Sequence, residues 1–146
     1  MTLMRTTLLS IAAVMGLTAA APGTTTPGEQ RFPNSHTITL SAENGNTFPG
    51  EALFEVKPDG VTVLVRARVV KNRSMPAAID RGRCGSPGTR ERVLSPVREG
   101  MSTTMLRGVK LTALEDGNHS LRVYDPANHG VEALCGDVRK PGIFSK

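Results

Sequence analysis

The stretch "EALFEVKPDGVTVLVRARVV", residues 51–70, decides the fold class. Ala52, Phe54 and Val56 recur at every second position, and so do Val61, Val63, Val65, Ala67 and Val69, with Thr62, Arg66 and Arg68 on the opposite side. A period of two is that of a strand with one buried face, and it does not fit the 3.6-residue period of an amphipathic helix. Between the two runs, "KPDG" sets Pro58 and Gly60 where a tight reversal needs them. The segment reads as a hairpin.

The neighbouring segments follow the same pattern. Upstream, "HTITLS" (36–41) puts Ile38 and Leu40 on one face, and "ENGNTFPG" (43–50) reads as a turn or a bulged connection. Downstream come "STTMLRGVKL" (102–111), "HSLRVY" (119–124) and "GVEALCGDV" (130–138), with "LEDGNH" (114–119) as the turn between the first two. Met101 and Met105 share one strand face and read as core filler rather than soft copper ligands. No window offers an amphipathic helix of three turns, and no internal repeat is present. Short strands about ten residues apart, punctuated by Gly, Pro and Asn, predict an all-β sandwich or barrel.

The ends of the chain read differently. Residues 1–21 carry one positive charge (Arg5), an apolar run from Leu8 to Leu17 and the small residues "TAAA", the order of a secretory signal peptide. That run is too short to span a bilayer, and no later segment is long enough. The expectation is an exported protein, periplasmic or extracellular. Residues 22–35, beginning "PGTTTPGEQRFP", read as a polar linker without periodicity, and residues 36–146 as one β domain.

Composition narrows the function further. The 146 residues carry 18 basic and 13 acidic side chains, a formal net charge of +5 that is scattered rather than blocked. With no Trp, one Tyr and four Phe, the stacking platforms of a single-strand nucleic-acid binder are missing. Arg81, Arg83, Arg90 and Arg92 cluster near one cysteine and would attract a small anion or an acidic surface, although Glu91 partly cancels them. A solvated loop is the plainer reading of that cluster. No Ser-His-Asp order, nucleophile elbow, paired-carboxylate signature or phosphate loop appears. Asn72-Arg73-Ser74 and Asn118-His119-Ser120 match the N-glycosylation pattern, which has meaning only where the producing cell has that machinery. The two cysteines, Cys84 and Cys135, read as one disulfide in an oxidising compartment, with a buried pair of free thiols as the alternative.

Three separated pieces carry a resemblance. "MPAAIDRGRCG" (75–85) resembles the "PAHIHxGxC" segment of secreted proteins related to copper/zinc superoxide dismutase. "LRVYD" (121–125) resembles the strand that ends in that family's later copper histidine. "EALCGDV" (132–138) resembles its last strand, whose cysteine bridges back to the one after the histidine pair. The opening from Leu40 to Val56 is similar to the family's first hairpin, so the resemblance covers roughly seven tenths of the chain. It implies a Greek-key β-sandwich or flattened barrel of seven to eight antiparallel strands, and a Cys84–Cys135 bridge.

The departures from that family concern the metal. Its paired histidines fall on Ala78 and Asp80 and its later one on Tyr124, and the spacing from Asp80 to Cys84 is too short for the zinc-binding loop. Copper that cycles its valence needs imidazole, while Asp and Tyr oxygens favour the oxidised ion. The leading expectation is therefore a degenerate metal site on a retained scaffold: no zinc, no dismutase cofactor, and a non-enzymatic binding or envelope role whose partner the residues do not specify. The alternative is a copper protein with a rebuilt site, serving metal sequestration or weak redox chemistry. In the resembled topology His36 would stand beside Asp80 and Tyr124, with His129 in the following connection. Asp80, Tyr124 or Met75 would complete the ligand set, and His119 would lie at the opposite pole.

Overall fold

The computed structural model describes residues 34–68 and 73–140. The expected signal peptide, and the linker up to residue 33, lie outside the described residues. The described chain forms eight strands and one single-turn helix: β1 (Ser35–Ala42), β2 (Gly50–Lys57), β3 (Gly60–Arg66), β4 (Met75–Arg81), β5 (Thr89–Val97), β6 (Met101–Arg107), α1 (Leu111–Leu114), β7 (Asp116–Tyr124) and β8 (Glu132–Arg139). Every pairing is antiparallel, and the order across the sheet is β5-β4-β7-β8-β1-β2-β3-β6. The sheet curls into a nearly closed barrel. β3 lies beside β6, and β4 beside β7, so the chain crosses from one side to the other in Greek-key fashion.

The opening hairpin is the one its sequence predicts. β2 and β3 pair from Glu51↔Arg66 down to Lys57↔Gly60. Gly60 has φ 154°, and a Cβ there would stand 2.0 Å from the Leu106 carbonyl oxygen, so the position tolerates only glycine. Ile38, Leu40, Ala52, Phe54, Val61, Val63 and Val65 point inward from one side, and Ala77, Ile79, Leu121, Val123, Leu134 and Val138 from the other. At about 25 cal/mol per Å² of apolar surface, that interior is the main stabilising term.

Four features differ from the sequence reading. β5, "TRERVLSPV", carries no strand signal in the sequence, because it lacks alternation and contains Pro96; it pairs along β4 only, with register shifts at two places. One shift leaves Glu91 as a bulge residue, since Ile79 pairs with Arg92 and Asp80 with Arg90. β6 ends at Arg107, where Gly108 turns the chain at φ 70° toward α1. The "LEDGNH" turn is shorter than expected, because Asp116 already opens β7. Finally, Met101 and Met105 are not core filler: Ser102, Thr104 and Leu106 pair with the inward Val65, Val63 and Val61, which leaves both methionines on the outer face, Met101 half exposed.

The barrel is incompletely closed. Just past the end of β5, Arg98 exchanges two backbone hydrogen bonds with Met101 of β6 (3.1 and 3.0 Å), and the Ser95 N–H donates to Thr104 Oγ1 at 2.8 Å. Among the described residues no helix is long and apolar enough to cross a membrane.

Candidate functional site

On the outer face of β4, β7 and β8 the register lays down two rows. Asp80, Ser120 and Asp137 form one; Ala78, Arg122 and Cys135 form the next. An outward face of this composition would ordinarily be wet. Here residues 82–88 fold over it, and Asp80, Ser120, Arg122 and Tyr124 are all buried. Gly82 starts this loop at φ 120°; its N–H donates to the Asn118 carbonyl at 2.6 Å, and its own carbonyl accepts from Ser120 Oγ at 2.7 Å. Cys84 is joined to Cys135 with a Cα separation of 5.8 Å, which settles the two-cysteine alternative as a disulfide. The Cys84 N–H donates to Asp137 Oδ1 at 2.8 Å. Burial pushes the Asp137 carboxyl up, but that N–H and the Arg139 and Arg83 guanidinium groups outweigh it and hold the carboxyl below its ordinary value.

Arg122 is the centre of this layer. Only 3% exposed, it donates from Nε to Ser120 Oγ (2.9 Å) and from Nη2 to the carbonyls of Arg83 (3.0 Å) and Ser86 (2.8 Å). Its Nη1 donates to Glu132 Oε1, and its Nε stands 3.8 Å from Asp80 Oδ2. Four of its donations are thus used, three of them on or next to the cysteine loop. Gly88 makes room for this arrangement, because a Cβ there would come within 2.8 Å of the guanidinium.

The sequence-predicted Asp80 and Tyr124 are brought together. Tyr124 Oη donates to Asp80 Oδ2 at 2.5 Å, and the Arg90 guanidinium lies 4.7 Å from the centre of the tyrosine ring. Asp80 sits opposite Ser120, four positions before Tyr124 along β7, so the tyrosine reaches it only by lying along the sheet over Ala78. Ala78 is 1% exposed, as a methyl beneath a ring should be. Burial, and then the Asp80 carboxylate, push the Tyr124 phenol above its ordinary value, so the hydroxyl keeps the proton it donates. Asp80 Oδ1 is buried with no hydrogen-bond partner, its nearest cation being Arg90 Nε at 3.9 Å. Tyr124→Phe would leave Oδ2 without its short donor as well. A loss of about 1–3 kcal/mol is expected, read as a lower denaturant midpoint at constant slope.

The histidines are placed otherwise than the resemblance implied. β4 and β7 are antiparallel, so the end of β4 meets the start of β7, with Arg81 opposite His119. β1 and β7 each run antiparallel to β8, which brings His36 to that same end. His36 Nδ1 is 2.8 Å from Glu115 Oε1 but off the line of a hydrogen bond, so the contact is electrostatic and becomes an ion pair when the ring is protonated. His129 is exposed in the connection after Tyr124, at the other end. His36 and His129 therefore do not converge, and His119 shares a pole with His36 instead of opposing it. Met75, the remaining suggested ligand, is a core residue.

That shared end contains a second polar group that the sequence did not announce. His119 is 2% exposed; its Nδ1 lies 2.8 Å from Asp116 Oδ1 and its Nε2 3.1 Å from Glu91 Oε2. The bulge at Glu91 aims that carboxylate at the histidine. Burial opposes the Glu91 charge, yet His119 and Arg81 outweigh it and keep the carboxyl below its ordinary value. Asp116 is held low by the Asn118 N–H first and by His119 second. A cleft of about 360 Å³ opens beside them.

Copper can be tested against these residues. Ala78 offers no donor, Asp80 Oδ2 is occupied by a phenol, and among the described residues no three His, Cys, Asp or Glu side chains are grouped to hold a metal. The donor set does not fit a copper centre. No family model matches the chain, no curated protein matches it, and no solved structure matches its fold.

Proposed function

We propose that this chain is an exported, non-enzymatic binding protein built on a superoxide-dismutase-like scaffold with a degenerate metal site. One observation carries the reading. The positions where the resembled family bears three copper histidines, Ala78, Asp80 and Tyr124, belong here to a closed layer in which a phenol caps a carboxylate beneath a guanidinium. A metal site must present several lone pairs to an ion; here Ala78 has none, Asp80 Oδ2 is taken by the phenol, and the unpartnered Asp80 Oδ1 faces Arg90, whose charge, like that of Arg122, would repel a cation. The disulfide between the loop after β4 and the last strand agrees with the same resemblance.

Elemental analysis of the exported protein after incubation with copper and zinc, beside a superoxide assay, tests this directly. Zinc well below one ion per chain is expected, as is turnover far below the diffusional ceiling of about 10⁹ M⁻¹s⁻¹. Stoichiometric zinc, or dismutation approaching that ceiling, would overturn the reading.

A further inference from the structure

The gap between β5 and β6 carries one inference about the partner. Each of these strands pairs on one side only, β5 with β4 and β6 with β3. Beyond the Arg98–Met101 pair and the Ser95–Thr104 contact, no backbone hydrogen bond among the described residues crosses from 89–94 to 105–107. The Ser95 N–H points across the seam to Thr104 Oγ1, from the bulge that Ser95 and Pro96 form against β4, and the edge of β5 away from β4 has no strand beside it. Val93 is 72% exposed, the most exposed large apolar side chain among the described residues. An edge with free donors and acceptors is a template for an added strand.

Charge selects what that strand can be. Where the two strands diverge, the cleft is lined by Arg81, Glu91, Arg92, Lys110, Asp116 and His119. Its carboxylates are already matched, Glu91 by His119 and Arg81, Asp116 by His119. Its cations are not: Arg92 and Lys110, with Arg107 at the end of β6, have no acidic partner among the described residues. A second copy of β5 would set Arg90 and Arg92 against like charges, which disfavours self-pairing.

We propose that the β5–β6 seam takes up an extended acidic segment of a partner protein, which pairs its backbone with β5 and sets its carboxylates on Arg92, Arg107 and Lys110. The proposal rests on the binding reading above and names the chemistry of its partner. It is tested with a fluorescent octapeptide of alternating valine and glutamate, titrated against the full chain at about 50 mM salt, where exposed charges are weakly screened. Saturable binding is expected, weakened about tenfold or more in the Arg92→Gln/Arg107→Gln/Lys110→Gln variant. The amides of Val93 and its β5 neighbours should gain protection from hydrogen exchange. A peptide of alternating proline and glutamate has the same charge but cannot add a strand, and it should bind far more weakly. Equal binding of the two peptides, indifference to the triple substitution, or no binding would each overturn the proposal. Those outcomes are independent of the zinc and superoxide readouts, so this inference and the reading it rests on fail separately.

Discussion

Replacing Cys84 and Cys135 together by serine is expected to lower the melting temperature by about 15 °C. The bridge closes a loop across a separation of 51 residues, and the chain-entropy relation assigns such a loop about 4 kcal/mol. For a domain of this size, each kcal/mol moves the midpoint by about 4 °C. The native state contributes little to the difference, because Arg122 and Asp137 also hold the cysteine loop in place. The serine variant should therefore keep its far-ultraviolet spectrum and fold more weakly, with calorimetry recording the loss. A shift of only two or three degrees would mean that the unfolded chain is already held compact without the bridge.

Arg122→Met should cost a comparable amount, about 3–5 kcal/mol, for a different reason. The substitution keeps the volume but takes the donor away from the buried Asp80 carboxylate, the partly buried Glu132 carboxylate and the carbonyls of Arg83 and Ser86. Removing one partner of a buried charge group costs more than the group contributes as a whole, because the Asp80 carboxylate left behind cannot be solvated. Arg122→Lys should recover little of it, since an ammonium cannot reach a carboxylate, a hydroxyl and two carbonyls in one plane. Adding Asp80→Asn to Arg122→Met should cost less than the two single losses summed, and urea titration of the four proteins in this cycle measures that coupling. Additive losses would show that Asp80 and Arg122 are only neighbours.

Much of the barrel is legible in the chain because its strands obey the period of two. β1, β2, β3, β7 and β8 each place apolar residues inward at alternate positions and supply most of the core, which Ala77 and Ile79 of β4, Leu94 and Val97 of β5 and Leu106 of β6 help to complete. β5 escaped notice for a physical reason: as an edge strand it has little to bury, and its bulge breaks what alternation remains. The outer layer on β7 misleads differently. Ser120, Arg122 and Tyr124 alternating with Leu121 and Val123 describe a solvated face, and only the loop folded back by Cys84 makes it an interior. The one local hint was the run of small residues in "GSPGT" (85–89), which lets a backbone lie close above a guanidinium. The pole of His36 is not legible locally, because it depends on strand direction across β8, which is a matter of pairing and not of local pattern.

The tyrosine lying over Ala78 has a consequence for how this sequence can change. An imidazole introduced at position 78 would meet the phenol ring, and one introduced at 124 alone would leave Asp80 without its donor and open a hollow above the alanine. Each single step toward a ligand set passes through a chain less stable than the present one; only joint replacement of 78, 80 and 124 avoids it. The three positions thus change as one unit, and a substitution at any one of them is constrained by the side chains at the other two.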